Sequence, residues 1–587
     1  MNDRTAHETL ATLAAPAHPV PDRHGASLFD ADPDLAAVAS LYLPDDLYRH
    51  LLPHLQRMGA RAGGELDELA LVADKNPPTL SVRHRTGVDQ ERIDKHPAYV
   101  ALEKVAFADY GLAAMSHRAG VLGWPAPMPP VAKYVLTYLL VQAEFGLCCP
   151  LSMTDSLTRT LRKFGAPALV DKYLERLTTQ DFDQLTQGAM FMTEQGAGSD
   201  IAATEVRAEP DGDAFKLWGD KWFCSNPDAG LAMVLARIDG APSGMAGVSL
   251  FLLPRTLDDG SPNALQILRL KDKLGTRSMA SGEVRFHGAR AYLVGEAGRG
   301  FQQMADMVNN SRLSNGMRAS GLMRRALTEA LYVARERQAF GRRLIELPLM
   351  RRQLLKLLLP TEQARTMLFQ TAEALRRSDA KEEGAYALTR VLTPLIKFRA
   401  CRDARRVAGD AMEVRGGCGY IEEWSDPRIL RDAHLGSIWE GTSNIVALDV
   451  IRAIRREGAL PVLRAHLERL LADSALAPRV RDTMQAAIAS ACEHAGMVAD
   501  ARGALDHAAR EVASALYHVT TAVAMAWEAT RLGSVRRLQI AQLVLRERVL
   551  PRGGGAPTAE PAWLAEVLDE TRPMGAARAA LEAVDVL

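Results

Sequence analysis

Phe215-Lys216-Leu217-Trp218-Gly219-Asp220-Lys221-Trp222-Phe223-Cys224-Ser225 decides how this chain is read, because here the hydrophobic period stops being helical. Aromatic and apolar residues arrive in a short run bounded by Gly and Asp. The runs LAMVLARI (231–238), VSLFLLPR (248–255) and GEVRFHGARAYLV (282–294) repeat that habit. Short β-branched and aromatic runs between turn residues predict strands, so 185–297 reads as a mainly β domain.

Working outward, both flanks return to a helical period. Upstream, the stretches 98–122 and 133–149 place apolar residues every three or four positions, with Asn76-Pro77-Pro78 and the prolines from Pro125 to Pro130 as interruptions. Downstream, three long helices are expected within 304–340, 348–377 and 381–416, the last ended by Gly416-Gly417-Cys418-Gly419. Helices of that length pack in bundles. The fold class is therefore α+β, divided as an N-terminal arm (1–30), a helical domain (31–184), the β domain (185–297), a helical bundle (298–455) and a C-terminal helical extension with tail (456–587). A chain of 587 residues exceeds what a single core supports.

Composition removes several classes of function. Basic and acidic side chains number 71 each, so no global charge pulls the protein toward nucleic acid or anionic membrane, although a local patch stays open. Six scattered cysteines without a C-x-x-C spacing argue against a disulfide scaffold, a zinc site or a redox pair. No apolar stretch has the length of a membrane span, and the first residues do not resemble a signal peptide, so a cytoplasmic location is expected.

Three constellations carry chemistry. Met192-Thr193-Glu194-Gln195-Gly196-Ala197-Gly198-Ser199-Asp200 is dense in hydroxyls and backbone donors. It reads as a tight turn or a ligand cradle, outside any strand-GxGxxG-helix context. Glu440 in SIWEGTSN, flanked by Ile438, Trp439 and Ile445, is either a poorly solvated carboxylate suited to proton abstraction or a solvated residue before an N-cap at Thr442 or Ser443. Arg337 and Phe340 in RERQAFGRR read as a cation and a ring on one helix face, either a phosphate-and-adenine clamp or a helix-end cluster. Arg312, inside an Ala- and Met-rich helix, is expected to reach a buried partner or an anionic ligand.

In order along the chain, FMTEQGAGSD, RLKDKLGTRSMAS, RQAFG, EVRGGCGYIEE and IWEGTSNIVALDVIR resemble the acyl-CoA dehydrogenase superfamily, and within it the AidB-like branch. The resemblance runs from about residue 60 to 455. It implies a homotetramer that binds FAD between the β domain and the bundle, an acyl-CoA substrate, and an electron acceptor such as an electron-transfer flavoprotein. Carried over by motif, Met192, Thr193, Gly198, Ser199, Phe223 and Ser225 would meet the flavin and pyrophosphate side. Arg337, Phe340, Glu413, Gly416, Gly417, Thr442 and Asn444 would complete the cofactor site, partly from a neighbouring subunit.

Glu440 would be the base, supported by Arg312, Trp439 and Arg452. Ser311 takes the place of the base used in the isovaleryl-type branch. Departures are Phe223 for the usual stacking Trp, Glu413 for a frequent Gln, Pro348 near a cofactor-binding Gln, and Trp439 for a common Tyr. The AidB-like branch also implies weak dehydrogenase activity and double-stranded DNA binding through the C-terminal helices. There Arg531, Arg536, Arg537, Arg546 and Arg548 offer either a phosphate-binding face or an ordinary solvated one.

Overall fold

In the computed structural model, residues 20–551 and 560–587 are described. Residues 1–19 of the expected arm and 552–559 of the expected linker lie outside them. The N-terminal block holds α1 (Pro33–Ser40), α2 (Asp45–Gly63), α3 (Glu65–Lys75), α4 (Pro97–Lys104), α5 (Pro130–Leu140), α6 (Cys148–Phe164) and α7 (Pro167–Thr178). Proline sits in the first turn of α1, α4, α5 and α7, where its missing N–H has no intrahelical acceptor to lose.

Two details of this block differ from the sequence reading. The Asn76-Pro77-Pro78 break leads into a hairpin, β1 (Thr79–Arg83) with β2 (Asp89–Asp94), inside a region expected to be mostly helical. The run after Ala98 does not form one long helix. It passes from α4 through a single wide turn, Val105–Asp109, and stops at Gly111, whose φ is +54°. A Cβ on Gly111 would sit 2.8 Å from the Val121 side chain, so this sharp turn needs glycine.

The β domain follows as β3 (Gly188–Phe191), β4 (Arg207–Asp211), β5 (Ala214–Ser225), β6 (Leu231–Ile238), β7 (Val248–Pro254), β8 (Leu265–Leu270) and β9 (Ser281–Leu293). The ladder runs β3-β6-β4-β5-β9-β7 with β8 on the side of β9, and β6 also pairs with β7, so the path closes on itself. Every residue of β7 is buried, which explains an apolar run interrupted by Ser249, whose hydroxyl accepts from the Gly298 N–H. Phe191, Val234, Phe251 and Phe286 belong to a core separate from that of the helices.

The bundle is built from α8 (Gly300–Glu336), α9 (Pro348–Asp379) and α10 (Ala385–Arg415), followed by α11 (Ser425–Leu435) and α12 (Ser443–Glu457). The extension adds α13 (Ala459–Ala472), α14 (Pro478–Asp500), α15 (Ala509–Leu532), α16 (Val535–Val544), α17 (Trp563–Leu568) and α18 (Arg578–Glu582). One continuous apolar core joins the N-terminal block, the bundle and the extension.

That packing corrects the reading of a phosphate-binding or solvated face for two of the C-terminal arginines. Arg536 and Arg537 are buried. Arg536 reaches Asp34 at 3.0 Å, and Arg537 reaches Glu362 at 2.9 Å and also pairs with Glu528. Long cations so deep in a core require carboxylate partners, and these come from three segments of the chain. Arg531 is exposed and faces Asp473, Arg546 lies against Trp563, and Arg548 is half-buried. Among the described residues, no helix is long and apolar enough to cross a membrane.

Candidate active site

Glu440 lies in the two-residue approach to the N-cap of α12. Its backbone has φ +56°, a conformation that costs a non-glycine residue energy and persists only when its surroundings enforce it. Two cations do so. Arg312 Nε donates to the Glu440 carbonyl at 3.0 Å, and Lys397 Nζ donates to the Gly441 carbonyl. Arg312 is held in turn by Asp449 at 2.7 Å, so its expected buried partner exists. Burial opposes the charge on Asp449, yet Arg312, Arg390 and Arg452 outweigh it and hold that carboxyl below its usual range. Burial pushes Lys397 down to about 8.

The Glu440 carboxylate is turned inward. Its side chain is 7% exposed, which removes the solvated alternative, and Thr442 occupies the N-cap without a side-chain capping bond. Ser311 Oγ donates to Oε1, Asn315 Nδ2 donates to Oε2 at 3.1 Å, and Arg318 Nη2 lies 3.9 Å from Oε1. Ser311, Asn315 and Arg318 follow i, i+4, i+7 on α8 and therefore share one face. Trp439 Nε1 donates to Asn315 Oδ1 at 2.6 Å, and the Trp439 ring stacks on Phe145 with centroids 5.9 Å apart. Arg452 reaches the site through Asp449, at 3.0 Å.

The loop 192–200 is a turn with a buried anchor. Glu194 exchanges backbone hydrogen bonds with Ala197, and its carboxylate pairs with the fully buried Lys221 at 2.6 Å and accepts from the Glu205 N–H. Lys221 also donates to the Met192 carbonyl at 3.1 Å, and the Trp222 N–H donates to the Thr193 carbonyl at 2.8 Å. Met192 and Thr193 are thereby drawn to the end of β5, beside Phe223 and Ser225. The thiol of Cys149 is pushed up by burial.

A second group forms at the end of the bundle. Here the structure corrects the sequence reading: α8 stops at Glu336, and Arg337 and Phe340 sit on a small hairpin rather than on one helix face. Phe340 has φ +54° and is 93% exposed. Arg337 Nη1 donates to the Arg415 carbonyl at 3.0 Å, against Gly416, whose φ is +74°. Glu413 meets Gln353 at 3.4 Å, while Ser199, Thr442 and Asn444 are exposed.

These features fit FAD. Phe223 offers a ring 59% exposed, with the Lys271 ammonium 4.9 Å from its centroid. A Cβ on Gly196 or Gly417 would meet nothing within 4 Å, so the backbone there is open to close approach. An apolar platform, nearby hydroxyls and a separate guanidinium suit a flat ring with a phosphate tail.

Asn315, Arg318, Lys397, Asp449 and the Glu194–Lys221 pair escaped the sequence reading. Asn315 and Arg318 share an i, i+4, i+7 spacing with Ser311, but α8 holds too many polar residues for that spacing to single them out.

Comparison with known proteins shows which family the chain is similar to. Residues 19–184 match the family described as adaptive response protein AidB N-terminal domain. Residues 189–289 and 298–455 match the acyl-CoA dehydrogenase middle and C-terminal domains. The putative acyl-CoA dehydrogenase AidB of Escherichia coli (strain K12) is 36% identical over 421 residues, covering 69% of this chain and 74% of that protein. Acyl-CoA dehydrogenase family member 11 of Caenorhabditis elegans is 31% identical over 455 residues, covering 76% and 73%. The crystal structure of Caenorhabditis elegans ACDH-11 in complex with C11-CoA superposes with a TM-score of 0.84 at 27% identity, over 92% of this chain and 95% of that one.

The chain belongs to the acyl-CoA dehydrogenase superfamily, in its AidB-like branch. Its reaction class is the FAD-dependent oxidation of acyl-CoA thioesters.

Proposed function

We propose that Glu440 is the base of this reaction, taking the α-proton of an acyl-CoA thioester on the way to the 2,3-enoyl-CoA. Bound FAD supplies the acceptor for the β-hydrogen, which leaves as hydride. The observation that carries the assignment is a buried carboxylate on a backbone gripped by Arg312 and Lys397. A fixed backbone confines the carboxylate to rotations of its own side chain, which holds a base near one reacting atom. The proton removed from the α-carbon ends on a Glu440 oxygen. Arg312, Arg318 and Lys397 favour the negative charge that develops on the thioester as that proton leaves.

Met192, Thr193, Phe223 and Ser225 would hold the flavin ring, with Gly198 and Ser199 along the pyrophosphate side. Arg337, Phe340, Glu413, Gly416 and Gly417 would hold the adenine half across a subunit boundary, with Thr442 and Asn444 completing the contacts. The exposed apolar side chains Phe340, Leu349 and Tyr420 support an oligomer, read as a homotetramer, that covers this end of the bundle. Electrons would pass on to a flavoprotein acceptor.

The test of the base is isotopic. Hexanoyl-CoA deuterated at the α-carbon, incubated anaerobically with the flavin-loaded protein in ordinary water, should lose deuterium to solvent. Glu440→Gln should stop that loss while still binding the thioester. Undiminished exchange in the variant would remove Glu440 from the role.

A further inference from the structure

Asn315 is pinned from both ends by chemistry that leaves its amide a single orientation. The Trp439 indole N–H is a donor only, so the oxygen of Asn315 must face it, at 2.6 Å. The amide nitrogen is then aimed at Glu440 Oε2, 3.1 Å away, while Ser311 donates to the other carboxylate oxygen. Behind them Arg318 is fully buried. Its two terminal nitrogens have no hydrogen-bond partner among the described residues, and its guanidinium lies 4.7 Å from the Trp439 ring centre. A guanidinium so placed draws the nearest carboxylate inward. That carboxylate is Glu440, at 3.9 Å.

A carboxylate with both oxygens engaged by protein donors is a poor acceptor for a substrate proton. We propose that Ser311 and Asn315, the latter set by the Trp439 indole, form a rest position for the Glu440 carboxylate, from which the bound thioester must draw it before proton transfer. Asn315 and Trp439 are thus positioning residues that act through Glu440. The proposal rests on the reading of Glu440 as base. It explains why a Trp stands at 439: its indole N–H is the group that orients the Asn315 amide. A hydrogen bond to an ionised carboxylate biases two positions by roughly ten- to a hundredfold. Loss of one such bond therefore releases a large share of the resting population.

Two arms test this, both on the full-length flavin-loaded protein. In the first, the seven tryptophans are replaced by 5-fluorotryptophan and the Trp439 ¹⁹F signal is assigned from its loss in Trp439→Phe. Ser311→Ala touches only the far side of the carboxylate, yet it should shift the Trp439 signal through Glu440 and Asn315. An unmoved Trp439 signal would overturn the relay. In the second arm, Asn315→Leu should raise kcat for hexanoyl-CoA about tenfold with KM within twofold, and Trp439→Phe should raise it by less. Unchanged or reduced kcat with full flavin content would overturn the rest position. Should neither hexanoyl-CoA nor any other short-, branched- or long-chain acyl-CoA reduce wild type and variants, the base reading falls instead, while the ¹⁹F arm still decides the relay.

Discussion

Asp34 and Arg536, 502 residues apart in sequence, meet at 3.0 Å in the protein interior, where each is buried. The contact joins the first helix to the C-terminal extension and belongs to a larger group with Asp32, Glu362, Arg365, Glu528, Arg537 and Glu570. The extension is therefore part of the core rather than an appended module. Breaking one partner leaves an uncompensated buried charge, at a cost of about 3–5 kcal/mol. Arg536→Met should lower the melting temperature sharply, and Asp34→Asn combined with it should cost less than the two single changes added. Strict additivity in thermal melts would contradict a shared network.

The same logic applies to the loop beneath the expected flavin. Lys221 is fully buried, burial works against its charge, and Glu194 at 2.6 Å is its counter-ion. Lys221→Met removes that cation together with its bond to the Met192 carbonyl. Purified variant should retain several-fold less FAD per chain, with added FAD restoring part of it. An unchanged flavin-to-protein ratio would show that this anchor does not shape the cofactor site.

Asp432, on the helix facing the Lys271–Met279 loop, gives a pH dependence. Burial, with help from the charge of Glu144, pushes its carboxyl up to about 7, although the Thr276 N–H donates to it. The folded state then binds more protons than the unfolded chain between about pH 4 and 7. The stability this group contributes is complete at the acidic end and lost as pH rises through 7. Asp432→Asn keeps an oxygen for Thr276 and removes the titration. The variant should gain on wild type as pH rises across that window, with a slope difference of up to about 1.4 kcal/mol per pH unit. Parallel curves for the two proteins would contradict the assignment.

How much was legible in the sequence follows from what kind of signal each element leaves. The β domain announced itself through short β-branched and aromatic runs between turn residues, the run that became β7 among them. The hairpin β1–β2 did not, because SVRHRTGVDQERID is polar on both faces and most of it is exposed, so no buried face imposes a pattern. Burial of the Glu440 carboxylate was one of two readings its apolar flanks offered, and a buried partner for Arg312 was expected from its apolar helix. Arg536 and Arg537 were misread because an arginine in a sequence looks the same whether it faces water or a carboxylate from another domain. Arg337 and Phe340 kept their neighbourhood but lost their helix, since Gly341 and the left-handed Phe340 turn the chain there. Ser311, Asn315 and Arg318 carry a helical spacing, yet α8 holds many polar residues and only the fold shows which of them meet Glu440.

The most direct test of the central claim is the anaerobic absorbance of the bound flavin. Short-, branched- and long-chain acyl-CoAs are mixed in turn with wild type and with Glu440→Gln. The account predicts rapid loss of the long-wavelength flavin band with at least one thioester in wild type, and loss of that response by several orders of magnitude in the variant. Equal bleaching in the two proteins, or none with any thioester, would contradict it.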